Sequence, residues 1–509
     1  MSRAKQSFIA GTMILLSAGI INRIFGFIPR IALPRIIGAE GVGLFQLGYP
    51  FLSAVLTLIT GGIPLAVAKL VAEAESERNE RRVRSILVIS LAITASLAIV
   101  FTAACIIAAP WITTHLWTDS RVYPTFLCMT AIIPLAGISS VLRGYFQGRQ
   151  NMIPSAASSV TETAIRVVMV IAFARLLVPY GIEYAAAGAM FGVVAGELGG
   201  FLVLLLHYLR TKRGYLSYIS AKIGSNPLKT SGLANLRRIM TISIPVTGSR
   251  LVGSFSSLLE SILIMQSLAV AGIATAAATA QYGMLTGMIM PVVYLPSALT
   301  FSLAVSLVPS LSEAAARKDM PTIHKRLHQS LRLALVAGAP FAVFMIVLSD
   351  PLCHFLYGQS QAGGMLRMVA PIALFIYFQA PLSAALQALG RPGTALVNAL
   401  IGAAVKLVCI VWLASKPEWG IRGAIVAINV NYVLVTLLNW RSIAKMLKFS
   451  LPGGDFLKVG LSMLLMAAAC YVPTNVSPVS PSFVSFAASL AAGAAVYLLC
   501  IFRFQLVDK

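Results

Sequence analysis

Long apolar segments recur along the whole 509-residue chain, and they restrict its fold more than any other sequence feature. A membrane-spanning helix needs about 20 apolar residues, and fourteen segments of that kind are separated by short turn signals. Hydrophobic residues make up 58% of the chain and charged residues only 11%, whereas soluble proteins carry roughly 25% charged residues. The sequence therefore predicts an all-α integral membrane protein. The predicted spans begin near Phe8, Gly43, Ser85, Tyr123, Ile153, Ala185, Met240, Ala277, Ser330, Met368, Thr394, Ile421, Phe456 and Phe483.

The net charge of +23 would suit a nucleic-acid-binding protein, but its distribution argues for a membrane protein. When the 39 lysines and arginines are sorted by the alternating topology, 26 fall on one side and five on the other, with the rest in or at the edge of spans. Cytoplasmic loops carry such an excess of positive charge. We therefore predict a multi-pass protein of a bacterial cytoplasmic membrane, with both termini in the cytoplasm and no nucleic-acid partner.

The chain contains a weak internal repeat. Five short matches recur in chain order with offsets between 227 and 242 residues. They pair Arg23–Gly26 with Arg250–Gly253, Gln46–Gly48 with Gln281–Gly283, Leu65–Ala68 with Leu303–Ser306, Gly148-Arg149 with Gly390-Arg391, and Tyr180–Ile182 with Trp419–Ile421. Six spans per copy give both copies the same orientation, which is a transporter architecture. We predict a first lobe over residues 1–210, a cytoplasmic linker over 211–238, a second lobe over 239–448, and two extra helices over 449–509.

The first predicted span contains two arginines, and this is its most informative feature. Arg23 and Arg30 lie seven residues apart, so they share one face of a helix, with Gly26 between them and Asn22 beside the first. A guanidinium at the centre of a bilayer costs at least a few kcal/mol, and such residues face a cavity or a partner. The pattern predicts a cavity that binds an anion.

Other spans carry polar residues at helical spacing. Arg250 and Glu260 lie in the seventh span, and Lys406 shares a face of the eleventh with Asn398 and Gly402. Glu162 and Arg166 in the fifth span are four residues apart and can form an ion pair. Such ions can also pair only with each other and join helices. The candidate substrate-binding residues are Asn22, Arg23, Arg30, Gln46, Glu162, Arg166, Arg250, Glu260, Gln281 and Lys406.

No motif indicates an enzyme, a cofactor or a metal. The chain has no P-loop and no GxSxG motif. Its six cysteines are scattered singly, without the spacing of a metal site. Without a nucleotide site, energy for transport would come from an ion gradient, the membrane potential or downhill flow of the substrate.

Several motifs carry a resemblance to a known family. The chain resembles the polysaccharide-biosynthesis transporters of the multidrug/oligosaccharidyl-lipid/polysaccharide exporter superfamily, especially those of spore-forming bacteria and the lipid II flippase branch. The motifs are Lys5–Thr12, Arg23–Phe27, Ile37–Leu44, Ser139–Met152 and Pro179–Ala189. The resemblance implies two six-helix lobes plus two C-terminal helices. In that branch, first-helix arginines line the central cavity, and Arg23 and Arg30 match them. The branch also has a second-helix arginine, where this chain offers Gln46, Tyr49 and Pro50.

The resemblance implies a transporter that flips an undecaprenyl-pyrophosphate-linked glycan, lipid II, for peptidoglycan of the spore cortex. Its partners would be that lipid, membrane lipids and cell-wall synthesis proteins. Two alternatives stay open: a multidrug/cation antiporter of the same superfamily, and a scaffold of a cell-wall complex. An antiporter needs carboxylates in its cavity, and the first span has none.

Overall fold

The computed structural model describes residues 8–219, 232–448, 453–476 and 483–505, and every regular element in them is a helix. The first ten α-helices are α1 (Phe8–Leu47), α2 (Tyr49–Thr60), α3 (Ile63–Ser76), α4 (Glu80–His115), α5 (Tyr123–Thr130), α6 (Ile132–Gly148), α7 (Ile153–Leu177), α8 (Ile182–Ile219), α9 (Gly232–Val270) and α10 (Thr275–Gly283). The other ten are α11 (Met290–Tyr294), α12 (Ser297–Ala316), α13 (Met320–Val347), α14 (Ser349–Tyr357), α15 (Ala362–Val369), α16 (Ala373–Ala388), α17 (Pro392–Cys409), α18 (Ile421–Leu447), α19 (Gly453–Val476) and α20 (Phe483–Arg503).

Thirteen helical stretches of the described chain are long and apolar enough to cross a membrane. The first, Met13–Ser76, is 64 residues long. At 1.5 Å per residue it would measure about 96 Å, three times the hydrocarbon thickness of a bilayer. It therefore contains the first and second predicted spans, and eleven of the other twelve stretches begin within about ten residues of a predicted span. The eighth span, predicted from Ala277, differs: its apolar stretch is Ser297–Ala316, because α10, a π-helical segment and α11 interrupt the chain before it. The predicted all-α membrane fold is confirmed.

Glycines break the long first stretch. Gly38 has a φ of 68°, which separates two helical parts of α1, and this left-handed conformation suits a residue without a Cβ. Gly48 separates α1 from α2, and Gly61-Gly62 separates α2 from α3. The chain can therefore turn near Gly38 and bend in the middle of the second span.

The internal repeat reappears in the backbone. In the described residues, ten of the twelve positions with positive φ form five pairs in chain order, with offsets between 234 and 240 residues. The pairs are Gly38 with Gly272, Arg78 with Lys318, Thr118 with Gly358, Gln150 with Gly390, and Gly181 with Gly420. The residues after the second pair, Asn79 and Asp319, both cap the next helix through a side-chain oxygen. These turns support the duplication independently of the sequence matches.

The chain forms two compact units. The first comprises residues 1–266 and 275–283, and its buried core joins α3, α4, α6 and parts of α8 and α9. The second comprises residues 267–274 and 284–509. The contacts thus group most of α9, the seventh predicted span, with the first unit, so the six-plus-six division into lobes stays a prediction. The predicted linker is helical to Ile219 and again from Gly232, and its residues 220–231 lie outside the described residues.

The last two helices pack on the second unit. Val459, Met466 and Cys470 of α19 and Tyr497 of α20 share a buried cluster with α13. The hydroxyl of Tyr497 donates a hydrogen bond of 2.8 Å to the carbonyl oxygen of Val336. The two helices that lie outside the repeat are therefore part of the second unit.

Candidate functional site

The cationic face of α1 is open. Arg23 and Arg30 are both exposed, although α1 is an apolar helix within a candidate membrane span. A Cβ built at Gly19 or Gly26 would meet no atom within 4 Å, so that space beside the helix is unfilled. The structure therefore places both guanidinium groups where an anion can reach them. Their role in substrate binding stays a prediction.

Asn22 joins α1 to α7. Its side-chain nitrogen donates a hydrogen bond of 2.6 Å to the hydroxyl oxygen of Ser159. The amide oxygen of Asn22 is buried and has no hydrogen-bond partner among the described residues. A buried acceptor without a donor is costly, so this oxygen marks a position where a donor from water or a ligand would be favourable.

The predicted ion pair on α7 is confirmed, and it has a second cation. The Oε1 atom of Glu162 accepts a hydrogen bond from Arg166. Its Oε2 atom accepts one of 2.6 Å from Arg143 of α6. The Glu162 residue is buried, whereas about a third of each guanidinium side chain is exposed. One carboxylate therefore holds two cations, and a positive charge is left over.

A glycine repeat on α8 brings this cluster together. Gly188, Gly192, Gly196 and Gly200 recur every fourth residue, so they share one face of the helix. Cβ atoms built on them would lie 2.4–3.0 Å from atoms of α7. Small residues at this spacing allow two helix backbones to approach closely in a membrane.

The close approach places a second carboxyl in the cluster. Glu197 of α8 is buried, and it follows Gly196, where a Cβ would lie 2.8 Å from the backbone oxygen of Glu162. Tyr49 of α2 lies within electrostatic range of Arg166, Arg30 and Glu162. The cluster therefore extends from the cationic face of α1 to α8. Sequence reasoning missed Arg143, Glu197 and Tyr49 as site residues. The four-residue spacing of glycines in α8 was the sequence signal that could have indicated its close contact with α7.

Arg250 lies apart from this cluster and binds the backbone. Its Nη1 atom donates a hydrogen bond of 2.8 Å to the carbonyl oxygen of Gly61, at the break between α2 and α3. Two further polar contacts join α9 to this region: Ser254 with Thr57 at 2.8 Å, and Thr247 with the backbone N–H of Gly62 at 2.9 Å. Arg250 thus satisfies a carbonyl that the broken helix leaves free.

Glu260 lies ten residues beyond Arg250 on the same helix. Ten residues span about 15 Å along a helix axis. The two side chains therefore do not form a direct ion pair. Any effect of the Glu260 charge on the Arg250 guanidinium is a long-range electrostatic one.

Gln46 and Gln281 belong to neighbouring helices, α1 and α10. The two helices touch through glycines: a Cβ at Gly43 would lie 2.0 Å from the carbonyl oxygen of Thr279, and one at Gly283 would lie 2.2 Å from that of Ala39. The side-chain oxygen of Gln281 is buried without a hydrogen-bond partner among the described residues.

Lys406 is the one candidate residue in the second unit. It is buried on α17. On the same helix Asn398 donates a hydrogen bond of 2.9 Å to the side-chain oxygen of Asn439 on α18. Lys406 thus belongs to the second unit and the other nine candidates to the first, and its role stays a prediction.

An ionic network lies at the predicted outer end of the first unit. Arg121 contacts Asp119 with two hydrogen bonds of 2.9 and 3.0 Å and also binds Glu40 of α1. Thr279 of α10 donates a hydrogen bond of 2.7 Å to Asp119. Burial favours the neutral acid, but the hydrogen bonds from Arg121 and Thr279 outweigh it and hold the pKa of Asp119 below its ordinary value. The network fixes α10 against α1.

The first unit also contains an apolar cavity of about 630 Å³. It lies between α2, α4 and α9, and aliphatic and aromatic side chains form nearly all of its wall. Leu251, which follows Arg250 in sequence, is part of that wall. The cavity suits a hydrocarbon chain rather than a polar group.

Comparison with known proteins agrees with this architecture. A family model described as polysaccharide biosynthesis protein matches residues 8–315, and a second model, MatE, matches residues 253–412. Stage V sporulation protein B of Bacillus subtilis (strain 168) is 40% identical over 516 residues, which cover 99% of this chain and 97% of that protein. The lipid II flippase MurJ of the same bacterium is 24% identical and covers 99% and 96%.

A solved structure shares the fold. The inward closed conformation of a lipid II flippase MurJ matches with a TM-score of 0.72 and covers 97% of this chain and 99% of that one. The sequence identity is 16%, so this likeness shows the fold alone. It agrees with the predicted arrangement of membrane helices.

Proposed function

The chain belongs to the polysaccharide biosynthesis protein family of multi-pass membrane transporters, and we propose that it flips an undecaprenyl-pyrophosphate-linked glycan by alternating access. We further propose lipid II as that glycan, outward movement across the cytoplasmic membrane, and peptidoglycan of the spore cortex as its destination. Both termini would then lie in the cytoplasm, as the charge distribution predicts. The relatives named above are a sporulation protein and a lipid II flippase.

The single observation that carries the proposal is the open cationic face of α1. Two arginines stand exposed on one side of an apolar membrane helix, with unfilled space at Gly19 and Gly26. Placing guanidinium groups at this depth costs free energy. An anionic ligand bound there would interact favourably with both guanidinium groups.

The neighbouring cluster adds to the positive charge. Arg143 and Arg166 share the single carboxylate of Glu162. Their Nε atoms are buried and have no hydrogen-bond partner among the described residues. A pyrophosphate presents many acceptor oxygens, and a guanidinium binds phosphate oxygens with paired hydrogen bonds. The headgroup of a polyprenyl-pyrophosphate would satisfy such donors.

The hydrocarbon part of the substrate needs an apolar environment. The apolar cavity between α2, α4 and α9 offers one inside the first unit, next to the helix that carries Arg250. Relative to water, each methylene group is stabilised there by about 0.8 kcal/mol, so the cavity suits the chain as the bilayer does. We propose that part of the polyprenyl chain occupies this cavity while the rest stays in lipid.

The test is transport of labelled lipid II in liposomes that contain only the purified protein. Arg23→Ala should lower the initial rate at least tenfold, which corresponds to about 1.4 kcal/mol. Arg23→Lys should recover only part of the activity because a point charge lacks the paired donors of a guanidinium. Arg23→Glu should be worse than Arg23→Ala, since a negative charge repels the pyrophosphate.

A matched control comes from α7. Arg175 is also an exposed arginine in an apolar helix, but it lies in the last turn, where a long side chain can reach the membrane surface. Arg175→Ala should leave the transport rate within about twofold of wild type. Folding of every variant is checked by size-exclusion chromatography and thermal midpoint. Equal transport by Arg23→Glu and wild type would refute the cationic site.

The same assay separates the alternatives. A cation antiporter would move a lipophilic cation against an ion gradient in these liposomes and would leave lipid II in place. A scaffold would do neither. In cells that lack the protein, the Arg23→Glu variant of a scaffold would restore function as well as wild type does. Two arginines neutralise the carboxylate of Glu162, so this particular group is a poor binding site for a cation.

A further inference from the structure

The first half of α9 contacts the rest of the first unit along one narrow face. Over residues 233–244, the buried residues are Asn235, Ile239 and Ser243. They are four residues apart, so they lie on the same side of the helix, and Thr247 continues their line. Three of these four side chains are polar, so hydrogen bonds contribute much of what holds this part of α9 in place.

Polar contacts join this face to α2, α3 and α4. The side-chain nitrogen of Asn235 donates a hydrogen bond of 3.1 Å to the hydroxyl oxygen of Ser85. The guanidinium of Arg238 lies 3.4 Å from the carboxylate of Glu73. Three contacts described above continue the row towards the middle of α9, and the row spans about 28 Å of the helix axis. We call this row the α9 seam, and its residues on α9 are Asn235, Arg238, Thr247, Arg250 and Ser254.

Two weak points of the backbone face each other within the seam. Pro245 lies inside α9, where a proline removes a backbone hydrogen bond and favours a kink. Gly61 and Gly62 separate α2 from α3. The two positions are close, because a Cβ on Gly62 would lie 2.4 Å from the carbonyl oxygen of Ser243. The helices on both sides of the seam can therefore bend at the same level.

The seam also leaves one polar group unsatisfied. The hydroxyl oxygen of Ser243 is buried and has no hydrogen-bond partner among the described residues. Such a group costs free energy, and water would satisfy it if α9 moved away. We infer that the α9 seam is a gate: it holds α9 against α2, α3 and α4 in this conformation, and it opens during transport by bending at Pro245 and at Gly61 and Gly62.

Opening of the gate changes what Arg250 can bind. In this conformation its Nη1 atom donates a hydrogen bond to the carbonyl oxygen of Gly61. Once α9 separates, the same donor is available to an oxygen of an anionic headgroup. The wall of the apolar cavity also changes, because Leu251 and Phe255 of α9 belong to it. This consequence rests on the proposed function, whereas the opening of the gate does not.

The opening is tested without any substrate. Spin labels are attached through Arg81→Cys on α4 and Arg237→Cys on α9, two exposed positions, in a chain whose six native cysteines are replaced by alanine. Electron–electron distance measurements in liposomes should give two populations, one at the distance of this conformation and one longer. Thr247→Val should shift the ratio towards the longer distance about fivefold, since it removes one hydrogen bond of the seam. Thr241→Val is the matched control, because the hydroxyl of Thr241 bonds within its own helix.

Two results would overturn the gate. One is a single distance between the labels in the chain without Thr247→Val, with and without a membrane potential, which decides the matter even if that variant fails to fold. The other is an equal shift in Thr247→Val and Thr241→Val. Labels at Arg84→Cys and Gln147→Cys, on α4 and α6 of the shared buried core, should give one distance throughout.

The role of the gate in transport is tested by closing it with a disulfide. Oxidation of Ser85→Cys/Asn235→Cys should slow lipid II flipping at least tenfold, and a reductant should restore the rate. The control is His328→Cys/Asp455→Cys, which joins α13 to α19 at another contact, 3.2 Å long, and should transport equally when oxidised and reduced. Equal rates for oxidised and reduced Ser85→Cys/Asn235→Cys contradict the gate. If the unmodified protein flips no lipid II at all, the proposed function fails, while the label distances still decide whether the seam opens.

Discussion

Substitution of one glycine in the α7–α8 contact should loosen the scaffold of the site. A Cβ at Gly192 would lie 2.4 Å from the backbone nitrogen of Val170, 2.5 Å from its Cα atom and 2.6 Å from the carbonyl carbon of Met169. All three are backbone atoms, so no flexible side chain can move aside. An ordinary contact needs about 1 Å more, and α7 and α8 must separate by that distance.

The magnitude follows from two opposing effects. Overpacking of a close contact costs about 1–3 kcal/mol, and replacing glycine by alanine inside a helix gains about 1 kcal/mol. We therefore expect Gly192→Ala to lower the free energy of unfolding by up to about 2 kcal/mol.

The assay is the thermal midpoint of purified protein in detergent, followed by fluorescence-detected size-exclusion chromatography. Gly19→Ala is the matched control, because a Cβ there meets nothing within 4 Å. It should keep or raise the midpoint. If Gly192→Ala is as stable as Gly19→Ala, the close packing of α7 on α8 does not hold the cluster.

Three further predictions concern the ends of the molecule and the apolar cavity. The depressed pKa of Asp119 stabilises the fold above the unfolded value of about 3.9. That stabilisation should be lost as the pH falls through the lower pKa of Asp119 in the native state. In a pH titration of the thermal midpoint, Asp119→Asn should abolish this loss. In whole cells, a cysteine at Ser120 should react with a membrane-impermeant thiol reagent and one at Asn151 should not; the reverse would overturn the predicted orientation. Ala104→Trp should fill the apolar cavity and slow lipid II flipping about tenfold, whereas the neighbouring Ala103→Trp, which does not line it, should not; equal rates would remove the cavity from the mechanism.

The sequence alone determined the class of fold and its membrane segments. Apolar length is a local property, so each predicted span could be read without knowing its neighbours. The i,i+4 pair of Glu162 and Arg166 and the shared face of Arg23 and Arg30 were equally predictable, because both follow from the period of one helix. The repeated turns at Gly181 and Gly420 also had a local signal, because both lie within the sequence matches Tyr180–Ile182 and Trp419–Ile421.

Only the tertiary structure decided which polar residues meet. Arg143, Glu162 and Glu197 lie on three helices, and no periodicity in one segment specifies its partner in another. Arg250 shows the same limit: its spacing placed it on a polar face of its helix, but only the structure shows that its guanidinium binds the carbonyl oxygen of Gly61 on a distant segment. The sequence specifies the chemistry of each side chain, but the partner of each charged group depends on how closely the helices pack. In the first unit, the glycines of α8 determine how closely α8 packs on α7.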